Sequence, residues 1–81
     1  MRTHTKMKYT LQNIVKFHRK QAGLSRKDLA LLAGVSTTFL TDLEGGKETL
    51  QFNKIVAVLK TLNISLAFNS PIMKDFENET R

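Results

Sequence analysis

Residues Arg26–Leu43, RKDLALLAGVSTTFLTDL, decide the fold of this chain. The segment holds two short helical patterns separated by Gly34, and each opens on a hydroxyl residue. Ser25 precedes the first as an N-cap with Asp28 in the first turn, a capping-box variant, and Ser36 precedes the second. Two helices that cross steeply at a tight turn need apolar residues at fixed points on both. They also need a small residue where the backbones approach and a glycine at the left-handed turn position. Leu29, Ala33, Val35, Leu40 and Leu43 supply the apolar points, Ala30 the close approach and Gly34 the turn. These residues hold the motif together, so any function of the segment belongs to its outward positions.

The flanking sequence extends the helical pattern in both directions. From about Thr10 to Ala22, Leu11, Ile14, Val15 and Phe17 line one side of an amphipathic helix while Lys16, Arg19 and Lys20 point away, and Gly23 stops it. The helix that follows Ser36, Thr37 to Glu44, is ended by Gly45-Gly46. Thr49 is expected to cap a further helix, roughly Leu50 to Leu62, with Phe52, Ile55, Val56, Leu59 and Leu62 at spacings of three and four. After Asn63 the period falls to two. Ile64, Leu66 and Phe68 alternate with Ser65, Ala67 and Asn69, which predicts a half-buried strand that Pro71 ends. A lone strand leaves a row of unpaired amides and carbonyls. It is expected to pair with the same strand of a second protomer, the rival being a pairing within the chain near residues 5–9. The resulting plan is a basic arm over residues 1–8, one domain over 9–69 and a flexible acidic tail over 70–81.

Composition narrows the function classes. At 81 residues the chain is one small domain with a marginal core, which favours support from oligomerisation. It has no cysteine and two histidines, His4 and His18, so neither a disulfide, a thiol nucleophile nor a plausible metal cluster can be assembled. No catalytic triad or glycine-rich phosphate cradle is present, and neither an enzyme nor a cofactor is expected. Thirteen basic against seven acidic residues give a net charge of +6. The distribution is polar: Met1 to Lys27 carries eight bases and no acid, whereas Asp75 to Arg81 carries three acids and one base. A cationic face recruits polyanions by counterion release, which makes nucleic acid the expected partner. There is no apolar run of roughly 18 residues and no signal-peptide pattern, so a cytoplasmic protein without a membrane partner is expected.

The spacing of Leu29, Ala30, Ala33, Gly34, Val35, Leu40 and Leu43 resembles the helix-turn-helix of the lambda-repressor-like (Xre) family. That resemblance implies an all-α bundle of four to five helices, here with a short C-terminal β-strand pairing across a dimer. It implies double-stranded DNA as ligand, with the third helix entering the major groove by its N-terminal end. The matched contact residues are Ser36, Thr37, Thr38 and Thr41, short hydroxyls without the bidentate grip of Arg on guanine. Arg26 is the long reader or phosphate anchor, with Lys27 beside it, and Lys47 should add a phosphate contact, as should Lys16, Arg19 and Lys20. Asp42 and Glu44 would repel phosphate and are expected to turn away, paired with neighbouring bases.

A narrower resemblance covers Gly45 to Phe68, GGKETLQFNKIVAVLKTLNISLAF, which looks like the end of HipB-type antitoxins. It implies dimerisation through Ile64, Leu66 and Phe68, repression of the protein's own operon at a palindromic operator, and binding of a HipA-type kinase toxin or a split toxin of that family. Two alternatives stand beside it: a stand-alone phage or plasmid repressor, and a protein-docking module with weak DNA binding.

Overall fold

A computed structural model describes residues 10–79 of the chain, in which five helices follow one another: α1 (Leu11–Gln21), α2 (Arg26–Ala33), α3 (Thr37–Glu44), α4 (Phe52–Thr61) and α5 (Met73–Glu79). The arm over residues 1–8 and the rival pairing near residues 5–9 lie outside the described residues.

Local chemistry sets the helix boundaries. The Ser25 hydroxyl accepts a hydrogen bond from the Asp28 amide at 3.0 Å, and the Ser36 hydroxyl accepts one from the Phe39 amide at 2.9 Å. Each satisfies a donor that the first turn leaves orphaned. At the far end of α2, Gly34 sits at φ 75° and ψ 30°, a left-handed conformation that a side chain would strain. The chain reverses there with the Val35 amide donating to the Ala30 carbonyl at 3.0 Å and the Gly34 amide donating to Leu31 at 3.3 Å, a Schellman stop. Paired bonds of the same register close α1, from Leu24 to Arg19 and Gly23 to Lys20. They also close α4, where Asn63 takes the positive φ of 61°.

The core joins α1 to α4. Val15, Leu29, Ala30, Phe39, Leu40, Leu43, Val58 and Leu59 are buried, with Ala33, Val35, Ile55, Leu62 and Ile64 partly buried against them. Helix α2 packs on both α3 and α4, and α1 packs on α3. Six of the seven motif residues, Leu29, Ala30, Ala33, Val35, Leu40 and Leu43, are thus buried or half-buried, while Gly34 turns at the surface, and α3 is held from two sides.

Three expectations need correction. The buried stripe of α1 is Val15 with Arg19, one turn apart, while Phe17 is largely exposed, its ring edge-on to His18 at 5.5 Å. Arg19 therefore does not belong to the outward basic face; its charge is met by a buried partner described below. Helix α4 begins at Phe52 after Gln51, without a side-chain cap, so Thr49 does not cap it; Phe52 is exposed, and Val58 is a core residue in its place. The segment expected as a strand, residues 64–69, runs without a ladder inside the described part of the single chain, and its expected partner is a second protomer. Ile64 packs on the core, and Leu66 and Phe68 face solvent in the single chain. Finally, the stretch expected as a flexible acidic tail contains α5, whose Met73 and Phe76, with Ile72 just before it, join Leu66 and Phe68 around an open apolar groove of about 510 Å³.

Candidate nucleic-acid interface

Helix α3 separates its residues by face. Phe39, Leu40 and Leu43 are buried, whereas Thr37, Thr38 and Thr41 are exposed and share the opposite side at spacings of one, three and four. The core contacts of the first three thus present the threonines outward, with Ser36 at the helix start. The Ser36 oxygen is engaged as the cap of Phe39, so this residue offers its hydroxyl proton while its acceptor stays with the helix. No acidic residue lies in the first turn of α3, which keeps its positive N-terminal end unopposed.

Cations are exposed on the elements around α3. Arg26 and Lys27 open α2 and are exposed. Lys47, just beyond α3, is about half exposed, with its Nζ 3.7 Å from Asp42. A surface pair of that kind is worth at most about 1 kcal/mol and yields readily to a phosphate. Lys54 was not among the residues singled out from the sequence. It stands on the first turn of α4 with Nζ 5.9 Å from the centre of the Phe39 ring, which brings a cation against the packed side of α3, opposite the threonines. Its sequence signal is nil, since a lysine in the first turn of an amphipathic helix reads as a solvated position. Lys16 and Lys20 are exposed on α1. His18 is half-buried and its Nδ1 lies 2.7 Å from the Ile14 carbonyl, a packing role.

Beneath this surface lies an ion network. Glu44, the last residue of α3, accepts from Arg19 Nε at 2.6 Å and Arg19 Nη2 at 3.1 Å, and from Arg26 Nε at 3.1 Å. Arg19 also donates through Nη1 to the Leu24 carbonyl at 2.8 Å. The side chains of Arg19 and Glu44 are 8% and 1% exposed, that of Arg26 44%. Burial pushes the Glu44 carboxyl up. The hydrogen bonds and charges of Arg19 first and of Arg26 second outweigh it, and hold the group below the usual carboxylate range. Both acids of this region are thus paired with bases, Asp42 with Lys47 and Glu44 with the two arginines. Among the described residues no set of His, Asp and Glu gathers to hold a metal ion. No helix there is long and apolar enough to cross a membrane.

Comparison with known proteins agrees with this geometry. A family described as helix-turn-helix matches residues 15–69, the span from the core of α1 through Asn69. An uncharacterized HTH-type transcriptional regulator of Sinorhizobium fredii, y4mF, is 41% identical over 58 residues, covering 72% of this chain and 76% of that relative. With two apposed helices across a left-handed glycine turn, a hydroxyl face on the second of them and a match over most of its length, the chain belongs to the helix-turn-helix family of DNA-binding transcriptional regulators.

Proposed function

We propose that this protein is a homodimeric, sequence-specific transcriptional repressor that acts in the cytoplasm as the antitoxin of a type II toxin–antitoxin pair, with a HipA-type kinase toxin as protein partner and no enzymatic activity of its own. The observation that carries the DNA part is the exposed Thr37, Thr38 and Thr41 face of α3, in a molecule whose Arg26, Lys27 and Lys47 are exposed at the start of α2 and just past α3. Short hydroxyls and threonine methyls read base edges at close range, while the exposed cations take phosphates. The dimer is supported by the apolar Leu66 and Phe68, exposed beside Ile64 in a protein too small to leave such a surface idle. A twofold axis through that segment requires a palindromic operator, its half-sites separated by about 34 Å or a multiple of it. The antitoxin role rests on the likeness of Gly45 to Phe68 to HipB-type proteins, and a toxin gene beside this one separates it from a stand-alone repressor.

The test is an anisotropy titration of a labelled duplex from upstream of the gene against a shuffled duplex, at two salt concentrations. A preference of about a hundredfold for the native duplex is expected. Thr37→Ala and Thr38→Ala should reduce that preference, and Lys47→Ala should weaken both duplexes alike. Equal, salt-sensitive binding to the two duplexes would refute sequence-specific repression and favour the protein-docking reading.

A further inference from the structure

Glu44 ends α3, where a negative charge meets the negative end of the helix dipole and is disfavoured. Its burial makes that position costlier still, and the compensation comes from two other helices, Arg19 on α1 and Arg26 on α2. One carboxylate cannot neutralise two guanidinium groups. Arg19 is bidentate to it, is buried and is bonded to Leu24, so it takes the pairing. The surplus positive charge falls on Arg26, the exposed member. Arg26 meets Glu44 through Nε at 3.1 Å, which leaves the four N–H bonds of its terminal nitrogens outside that contact. A guanidinium fixed by its inner nitrogen has less rotamer freedom to lose when it meets a phosphate.

We propose that Glu44 is a positioning residue for DNA binding: it holds Arg26 by Nε at the start of α2, so that the terminal nitrogens are set for a backbone phosphate in fixed relation to α3. The proposal rests on the DNA-binding reading above. It gives the buried acid of the recognition helix a role in affinity although it never touches the duplex.

The experiment titrates the upstream duplex with the full chain carrying Arg26→Ala, Glu44→Gln or both, after circular dichroism melts establish that each is folded at the working temperature. Arg26→Ala should weaken binding about tenfold. Glu44→Gln should weaken it comparably, and the double variant should be no weaker than Arg26→Ala alone, because Glu44 acts through Arg26. Should Glu44→Gln not fold, Arg26→Lys replaces it: the charge is kept, the inner-nitrogen contact is lost, and a loss close to that of Arg26→Ala is expected. Full additivity of the two single losses, or wild-type affinity in Arg26→Lys, overturns the positioning role while leaving DNA binding intact. Absence of salt-sensitive duplex binding by the wild-type chain overturns the DNA reading, and the proposal with it.

Discussion

Replacing Arg19 by methionine should be among the most damaging single changes in this molecule, although the residue reads as surface. The substitution keeps much of the stem volume and removes the bonds at 2.6 and 3.1 Å to Glu44 and at 2.8 Å to the Leu24 carbonyl. With side-chain exposures of 8% and 1%, the pair is buried, and breaking such a pair by removing one partner costs about 3–5 kcal/mol. Arg26 retains its bond to Glu44, so the lower end of that range applies, about 3 kcal/mol. The assay is urea unfolding followed by circular dichroism, urea being uncharged and therefore without effect on ionic screening. With a slope near 1 kcal/mol/M for a chain of this size, the midpoint should fall by about 3 M. Arg19→Met combined with Glu44→Leu should return to within about 1 kcal/mol of the wild type, because a buried ion pair exchanged for well-packed apolar groups is close to neutral. Arg26 then loses its carboxylate, but at 44% exposure its charge is hydrated. An Arg19→Met protein within about 1 kcal/mol of wild type would show the network to be energetically idle, and a double variant weaker than the single would refute the near-neutral exchange; either sinks this reasoning.

Three further outcomes are expected. Glu44 is held below its usual range in the folded chain, so its contribution is complete above the unfolded value near 4.3 and is lost as pH falls through the lower folded value. Melting temperatures taken at successive pH values should drop on acidification below about pH 5, less steeply in Glu44→Gln; equal slopes would remove Glu44 from the cause. Gly34→Ala places a methyl in open space but at φ 75°, so the loss should be backbone strain alone, about 1 kcal/mol by urea unfolding, with Gly34→Asn recovering part of it. If the terminal segment pairs between protomers, the melting temperature should rise with protein concentration. Phe68→Glu, at a position 72% exposed in the single chain, should abolish that dependence without unfolding the protomer; a concentration-independent wild-type melt argues against the dimer.

What could be read from the sequence divides along a physical line. The helix starts at Ser25 and Ser36 and the stop at Gly34 were legible because capping is chemistry within a few residues. The inward set Leu29, Ala30, Leu40 and Leu43 followed from the spacing that two crossing helices require, and Thr37, Thr38 and Thr41 from the resemblance of that spacing to the lambda-repressor-like family. Arg19 was misread because an arginine is assigned to solvent unless its partner is known, and Glu44 lies 25 residues away. The same blindness hid Lys54, which the packing of α4 brings beside Phe39. The alternation from Ile64 to Phe68 carries a period but no pairing, and a ladder belongs to two strands, so nothing within the segment could show what it lies against. Helix α5 escaped because its seven residues are mostly charged or polar, with Met73 and Phe76 too few to declare a face.

The reversed turns that close α1, α2 and α4 bond residues no more than five apart, and the packed pairs α1 with α3, α2 with α3 and α2 with α4 are near neighbours along the chain. Closing such contacts requires little loop entropy, and helical domains dominated by them fold in about microseconds to milliseconds. The Arg19–Glu44 bond belongs to the α1–α3 pair, but it needs both guanidinium and carboxylate stripped of water, which places it late on the route. An interaction absent from the transition state leaves the rate of folding unchanged and slows unfolding. The ion network therefore governs the lifetime of the native regulator rather than its speed of formation: a newly made chain is competent almost at once, and the buried arginine determines how long it stays so.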